Sequence, residues 1–518
     1  MSDSIFLALG HLIEIENLLL ILAGVTGGIV VGALPGLTAT MAIALLVPFT
    51  FTMNPISGLI TLGAIYCGAI YGGCFSAILI GTPGTPSAIA TVFDGYPMAR
   101  KGEAEQAIVA ATGGSVIGGL IGTAMLLLLS PLLAKAALKF GPPEYFWMAV
   151  FGLTIIATLA SKSILKGLIG GAFGLLLSTI GMSPIAGDVR FSFGQPELQG
   201  GVELMTALIG FFCIPEILFM VEQREKMYTL ITYKRKKGIT RSTLTQVIKK
   251  PFLLIRSAVI GAVVGIVPGA GGNIAALVSY NEAVRASKTP DEFGKGYMDG
   301  VLASETSNNA EVGGSLVPLL TLGIPGAPPA AVLLGALLLQ GMRPGVELYT
   351  VHAEITYTFI FSLFVANLVM LPVGIYGGRG FSRLVTIVPM KFLAPTVAFL
   401  TIIGSYAIRN NIMDVVIMLV CGLFGYLGRK LGFHPGPIVL GLILGKICET
   451  GLVQSVLMGR ATGSMWVLFF GRPISLVLIF LCLLSALWPV IANILKKRGV
   501  LSLDVPEDER KEENGELG

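Results

Sequence analysis

Charge is what this sequence has least of. Of its 518 residues only 13% are Asp, Glu, Lys or Arg, about half the share of a typical soluble chain. Long polar stretches that could coat three average soluble domains are therefore missing, and a mean hydropathy of +0.83 excludes a soluble assembly. Histidine is nearly absent: His11, His352 and His434 stand alone, without an HExxH or HxE pattern, so neither a metal nor a nucleophile site is indicated. GxxxxGK[ST] does not occur, so the chain itself holds no P-loop for ATP. Six cysteines lie in apolar surroundings without CxxC spacing and read as small packing residues rather than a disulfide framework or zinc site. The N-terminus has neither a basic n-region nor an A-x-A site, so the first apolar run is expected to stay in the membrane. A net charge of +5 reflects loop placement, and no nucleic-acid partner is expected.

What is present is long apolar sequence. Runs near the about-20-residue length of a membrane helix fall at 12 to 34, 36 to 53, 56 to 80, 106 to 133, 144 to 160, 164 to 181 and 201 to 221. A second set covers 254 to 267, 271 to 284, 311 to 341, 352 to 376, 393 to 408, 411 to 427, 436 to 470 and 473 to 495. Alternating ten-residue strands are missing, so the fold class is an all-α polytopic integral membrane protein. Trp147, Trp466 and Trp488 read as interface anchors.

The two sets repeat one another. GIVVGALPGLTATMAIAL from Gly28 matches GAVVGIVPGAGGNIAALV from Gly261 at an offset of 233, and Gly81-Thr82-Pro83-Gly84 matches Gly323-Ile324-Pro325-Gly326 at an offset of 242. Between the sets, Val221 to Arg256 holds ten Lys and Arg against two Glu, which makes it cytoplasmic by the positive-inside rule. No Lys or Arg precedes the first span, so the halves are expected to enter from opposite sides as inverted repeats. The expected division is a first transmembrane repeat at 1–221, a basic cytoplasmic linker at 222–256, and a second repeat at 257–470. An additional helix at 471–498 and a charged cytoplasmic tail at 499–518 complete the chain.

Each half carries two Gly-Pro interruptions of apolar helix, predicted to be broken or re-entrant and to meet near the bilayer midplane. Proline removes a backbone donor and glycine permits an abrupt turn, so each break frees backbone groups at membrane depth. Half-helix N-termini then offer N–H donors to an anion, and unwound carbonyls suit a cation. The candidate substrate-binding residues are Pro35, Gly36, Thr38, Thr40, Thr82, Gly84, Thr85, Ser87, Gly271, Gly272, Asn273, Pro325 and Gly326. The alternative, that these breaks are mere kinks, weakens when four stand in duplicate.

The second half holds a stretch read as an insertion without counterpart, Tyr280 to Glu311, whose first part is expected to be a solvated loop. Its end supplies the candidate ion-coupling residues Ser304, Glu305, Asn308, Asn309 and Glu311, with Glu305, Asn308 and Asn309 on one helical face. The competing reading is an exposed polar helix end at the interface. Asp94, with Arg100 and Lys101 close behind, reads as an interfacial turn.

The motifs GALPGLTATMAIALLVPFTF, YGGCFSAILIGTPGTPSAIATVFDGYPMARKGEA and SETSNNAEVGGSLVPLLTLGIPGAPPAAVLLGAL resemble the large membrane subunit of the tripartite tricarboxylate transporters, the TctA family. The likeness runs from Leu18 to Pro489. It implies a multi-pass protein of the bacterial inner membrane, working with a small TctB-like membrane subunit and a periplasmic TctC-like solute-binding protein. Uptake of a carboxylate, often citrate, would be driven by Na+ or H+, with no cofactor and no enzymatic activity. A passive channel or exporter of organic anions, and more remotely an intramembrane enzyme, are the competing functions; no GxGD or DDxxD pattern supports the enzyme.

Overall fold

A chain this apolar must satisfy its backbone polar groups internally, in helices or a closed barrel, and the computed structural model, which describes residues 2–159, 163–222, 238–387 and 390–497, is built of helices. The first half runs α1 (Ser2–Leu12), α2 (Ile15–Ala33), α3 (Ala39–Thr50), α4 (Pro55–Ile80), α5 (Ile89–Arg100), α6 (Ala104–Ala137), α7 (Pro142–Leu159), α8 (Ile164–Ser178) and α9 (Leu204–Glu222). The second runs α10 (Ile239–Ile248), α11 (Pro251–Ile266), α12 (Gly271–Arg285), α13 (Met298–Leu322), α14 (Pro328–Leu339), α15 (Val346–Thr350), α16 (Ala353–Ile387), α17 (Met390–Arg409), α18 (Ile412–Lys430) and α19 (Pro435–Thr462). A short α20 (Met465–Phe470) and α21 (Pro473–Lys497) complete the order. Among the described residues eight helices are long and apolar enough to cross a membrane. Strand among the described residues is confined to an antiparallel pair of two residues each, Gly181–Met182 with Val189–Arg190, in the α8–α9 connection.

The elements of the halves correspond, and their packing is reciprocal. Within the halves, α2 lies on α4 and α11 on α13. Across them, α16 lies on α4 and α6 on α13, while α3 meets α14 and α12 meets the turn Pro86–Ala88 before α5. Farther out, α9 packs on α17 and α18 of the second half, and α19 on α7 and α8 of the first.

Close approach depends on absent side chains, as usual where lipid supplies no hydrophobic drive between helices. A Cβ on Gly72 would strike the Ile29 backbone, and one on Gly314, 242 residues on, would strike that of Ala262. Gly118 and Gly122 bring α6 equally close to Thr306 and Ala310 of α13.

Several expectations need correction. The run 311 to 341 is two helices, α13 and α14, parted at Gly323. Tyr280 to Glu311 is not an insertion: α12 continues to Arg285, and α13 starts at Met298 as α4 starts at Pro55. The excess lies in the connection 286–297, which corresponds to 51–54 in the first half. Asp94 is not in a turn; it sits in α5, fully buried within the protein. That connection and α12 explain why: Gly296 and Tyr297 N–H of the connection donate to Asp94 Oδ1 (2.8 and 2.7 Å), and Tyr280 Oη of α12 donates to Oδ2 (2.9 Å). An ion pair of Lys250 with Asp299 secures the same end.

All six cysteines are free, five buried and Cys448 half-buried. Trp147 donates Nε1–H to the Phe469 carbonyl (3.0 Å), and Trp466 is exposed. The side chain of Trp488 and the tail 499–518 lie outside the described residues. So do 223–237 of the basic linker; the rest of it forms α10 and the first turns of α11.

Candidate functional site

The four interruptions have duplicate backbone geometry. At the first break of each half, Leu34 (φ −83°, ψ 117°) and Val267 (φ −80°, ψ 115°) leave the helix in extended form. Gly36 and Gly269 come next at φ +88° and +80°, a region glycine enters without strain. At the second, Gly81 (φ +68°, ψ +20°) ends α4 and Gly323 (φ +71°, ψ +20°) ends α13. The chain returns along each helix, so Gly84 N–H donates to the Gly73 carbonyl and Gly326 N–H to that of Ser315, both at 3.3 Å. A Cβ at Gly84 would overlap the Gly32 carbonyl, and one at Gly326 that of Gly265. The two breaks of each half thus pack on each other. In the second half Gly269 N–H also donates to the Gly326 carbonyl (2.9 Å).

Downstream of the first breaks the halves differ. Thr38 caps α3, its Oγ accepting Met41 N–H (3.2 Å). Gly271 stands at the equivalent place, and α12 has no side-chain cap. The start of α12 faces the first half instead. A Cβ at Gly272 would come to 2.8 Å from Ser87 Cβ, 2.8 Å from Asn308 Oδ1 and 3.6 Å from Glu311 Oε2. Residues of two elements, one from each half, therefore converge on Gly272 of a third.

The candidate ion-coupling residues form no exposed helix end; all five are at most 1% exposed, in the first two-thirds of α13. Nor do they share one environment. Glu305 accepts hydrogen bonds from Thr91 Oγ (2.5 Å) and Ser115 Oγ (3.0 Å) of the first half. Ser304 spends its hydroxyl on Gly300 O of its own helix (2.8 Å). Asn309 donates to the Cys67 carbonyl (3.5 Å), and its Oδ1 has no partner. At Asn308 both amide atoms are buried without a hydrogen bond, as is Glu311 Oε1. Such groups cost on the order of 1–3 kcal/mol each. No ion pair reaches Glu305 or Glu311 among the described residues.

Of the candidate substrate residues, Ser87 and Gly272 belong to this convergence, with Thr85 bonded to Ser87 (Oγ to Oγ, 3.1 Å) and Gly271 adjoining. Asn273 is exposed and stands apart from it, because a helix turns its third residue away from the side its second presents. Pro35, Gly36, Thr38 and Thr82 are half-buried and Thr40 is buried; Met220 of α9 covers Gly36. Pro325 borders a cavity of about 40 Å³ with Gly269, Ala327, Pro328, Leu440 of α19 and His434, which caps that helix. A larger space of about 320 Å³, between Ser178, Gln199, Lys446 and Glu449, includes none of the break residues. Thr91, Ser115 and Tyr66, whose Oη bonds Ser315 Oγ (3.0 Å), escape a sequence reading; their signal is no more than a hydroxyl within an apolar helix.

The fold and these paired breaks define a multi-pass helical membrane protein with polar groups gathered inside the bundle. Residues 18–440 match the model of the tripartite tricarboxylate transporter TctA family, and the chain belongs to that family of transporters. It is 37% identical, over 92% of its length and 94% of the relative's, to an uncharacterized 52.8 kDa protein in the TAR-I ttuC′ 3′ region of Agrobacterium vitis. A second relative from that organism, an uncharacterized protein in the TAR-II ttuC′ 3′ region, is 34% identical over 46% of this chain and 97% of its own length. No solved structure matches the chain.

Proposed function

We propose that this chain is the large permease subunit of a binding-protein-dependent secondary transporter that imports a tricarboxylate or related carboxylate. In this reading the two halves are inverted repeats, with the 222–256 linker in the cytoplasm of a bacterium and the substrate passing between the halves at the breaks. A small membrane subunit and a periplasmic solute-binding protein are its partners, and a sodium or proton gradient drives uptake. The observation that carries it is the meeting of Ser87, Gly272, Asn308 and Glu311 at the uncapped start of α12. A helix N-terminus offers N–H groups to a carboxylate, which makes up for the lack of Arg and Lys in all four breaks. Reciprocal packing of the halves is what a two-fold relation between them produces, and the charge asymmetry of the sequence supports inversion as its form.

Uptake of labelled carboxylates into proteoliposomes, with binding protein and ion gradient each supplied or withheld, tests the reading. Accumulation is expected only when both are present. Equilibration without a gradient would establish a passive channel instead, and uptake without the binding protein would remove the tripartite requirement.

A further inference from the structure

Resting on the transport reading, we infer that Asn308 and Glu311 of α13, with Ser87 of the facing half, form a seat for one sodium-sized monovalent cation beside Gly272. Glu305 lies outside it and positions α13.

Each group supplies something distinct. Glu311 brings a carboxylate whose Oε1 has no hydrogen bond and whose charge no Lys or Arg balances. Asn308, one turn earlier on the same face, brings an amide with both heteroatoms unused. Amide oxygens do not take up protons near neutral pH, but they do ligate hard cations, as do carboxylates and hydroxyls. Ser87 completes the approach from the other half, its hydroxyl held by Thr85. One carboxylate with neutral oxygens matches a single positive charge; a divalent ion would call for more anionic ligands.

The amide of Asn308 has a second use. With its oxygen toward the cation, its NH₂ is free to donate toward a substrate carboxylate at the start of α12. Cation and anion then share one side chain, and each lowers the cost of burying the other. Glu305 differs because its oxygens are met by Thr91 and Ser115, so the hydroxyls of α5 and α6 already occupy it. The seat draws on both halves, so occupation links their relative position to the ion, which an alternating-access device requires.

Equilibrium binding of ²²Na⁺ to the purified full-length subunit in nanodiscs tests the seat without carboxylate or partner proteins. One saturable site per chain is expected in the wild type. Affinity should fall at least about tenfold, a loss of about 1.4 kcal/mol, in Asn308→Ala and Glu311→Gln. Because either change could unfold α13, Ser87→Ala on the facing half provides an independent arm. It should weaken binding while keeping the same elution volume. Glu305→Gln should bind sodium like the wild type. Absence of saturable sodium binding in the wild type overturns the proposal, as does binding that survives in Asn308→Ala, Glu311→Gln and Ser87→Ala, or that is lost in Glu305→Gln alone. Sodium binding without carboxylate uptake in proteoliposomes would instead sink the transport reading and leave the seat standing.

Discussion

Helices α4 and α13 stand at equivalent places, end on equivalent glycines and fold back into equivalent breaks, yet their interiors differ. Where α13 carries Glu305, Asn308, Asn309 and Glu311, the residues 242 positions earlier in α4 are Gly63, Tyr66, Cys67 and Ala69. The helices after the first breaks diverge likewise: α3 is capped by its own Thr38 and α12 opens on two glycines. The duplicated part is the scaffold of turns and close glycine contacts, and the divergent part is the polar chemistry, gathered in the second half. Burying two carboxylates without a basic partner costs several kcal/mol per ion if they are charged. Such groups inside a membrane bundle mark function before they mark stability.

If the scaffold is shared, damage to it should be equal in both halves. Gly72→Leu and Gly314→Leu each force a side chain into facing backbone, at Ile29 and Ala262. Both should cost about 3 kcal/mol or more and abolish monodisperse protein in size-exclusion profiles. A normal profile for one and not the other would break the equivalence.

If the chemistry is not shared, the matching pairs must behave differently. Glu311→Gln and Asn308→Ala should lower gradient-driven uptake at least about tenfold, about 1.4 kcal/mol. Tyr66→Phe, at the position equivalent to Asn308, removes only a bond to Ser315, about 1 kcal/mol, and should leave uptake within a few-fold. Equal losses would mean that α4 takes part in the site.

A third contrast sharpens the comparison at the connections. The segment 286–297 is strapped to Asp94, whereas its counterpart 51–54 is a short turn with no such anchor. Asp94→Asn keeps the shape but weakens two charge-assisted bonds, each worth about 1.5–3 kcal/mol. Amide hydrogen exchange at Gly296 and Tyr297 should speed up at least about tenfold, with the 51–54 amides unchanged.

These contrasts explain what could be read from residues alone. The Gly-Pro breaks and their duplication were legible because backbone demands write themselves into Gly and Pro. The depth of α13 was not, since hydropathy cannot tell lipid from protein as a neighbour. Ser304 to Glu311 looks like an interface in sequence because its partners, Thr91, Ser115, Gly118 and Gly272, are scattered through both halves. Asp94 reads as a turn for the same reason: Arg100 and Lys101 are near in sequence, but Gly296 and Tyr297 are nearer in space. Asn273 stands apart from Gly272 through helix phase, one residue separating a buried glycine from an exposed side chain.

The smallest predicted effect concerns the outermost equivalent contacts. Helices α6 and α16 both open with Ala-Glu, and each glutamate takes a partner from the helix packed on that end. Thr240 of α10 donates to Glu105 (3.2 Å), while His11 of α1 sits 2.6 Å from Glu354 and 2.7 Å from Glu14. The hydrogen bond with Glu14 raises the His11 pKa above the ordinary imidazole value, against the opposing effect of partial burial, and Glu354 adds to the rise. A proton held more tightly in the folded state stabilises fully below the unfolded pKa of 6.5 and is lost as pH rises through the higher folded value. His11 is one-third exposed, so the contribution is a fraction of a kcal/mol. Unfolding midpoints measured from about pH 5 to 8 should fall slightly above 6.5 in the wild type. His11→Gln should remove that dependence, and Thr240→Val should leave it intact. A slope that persists in His11→Gln would assign the titration to another group and remove this difference between the two ends.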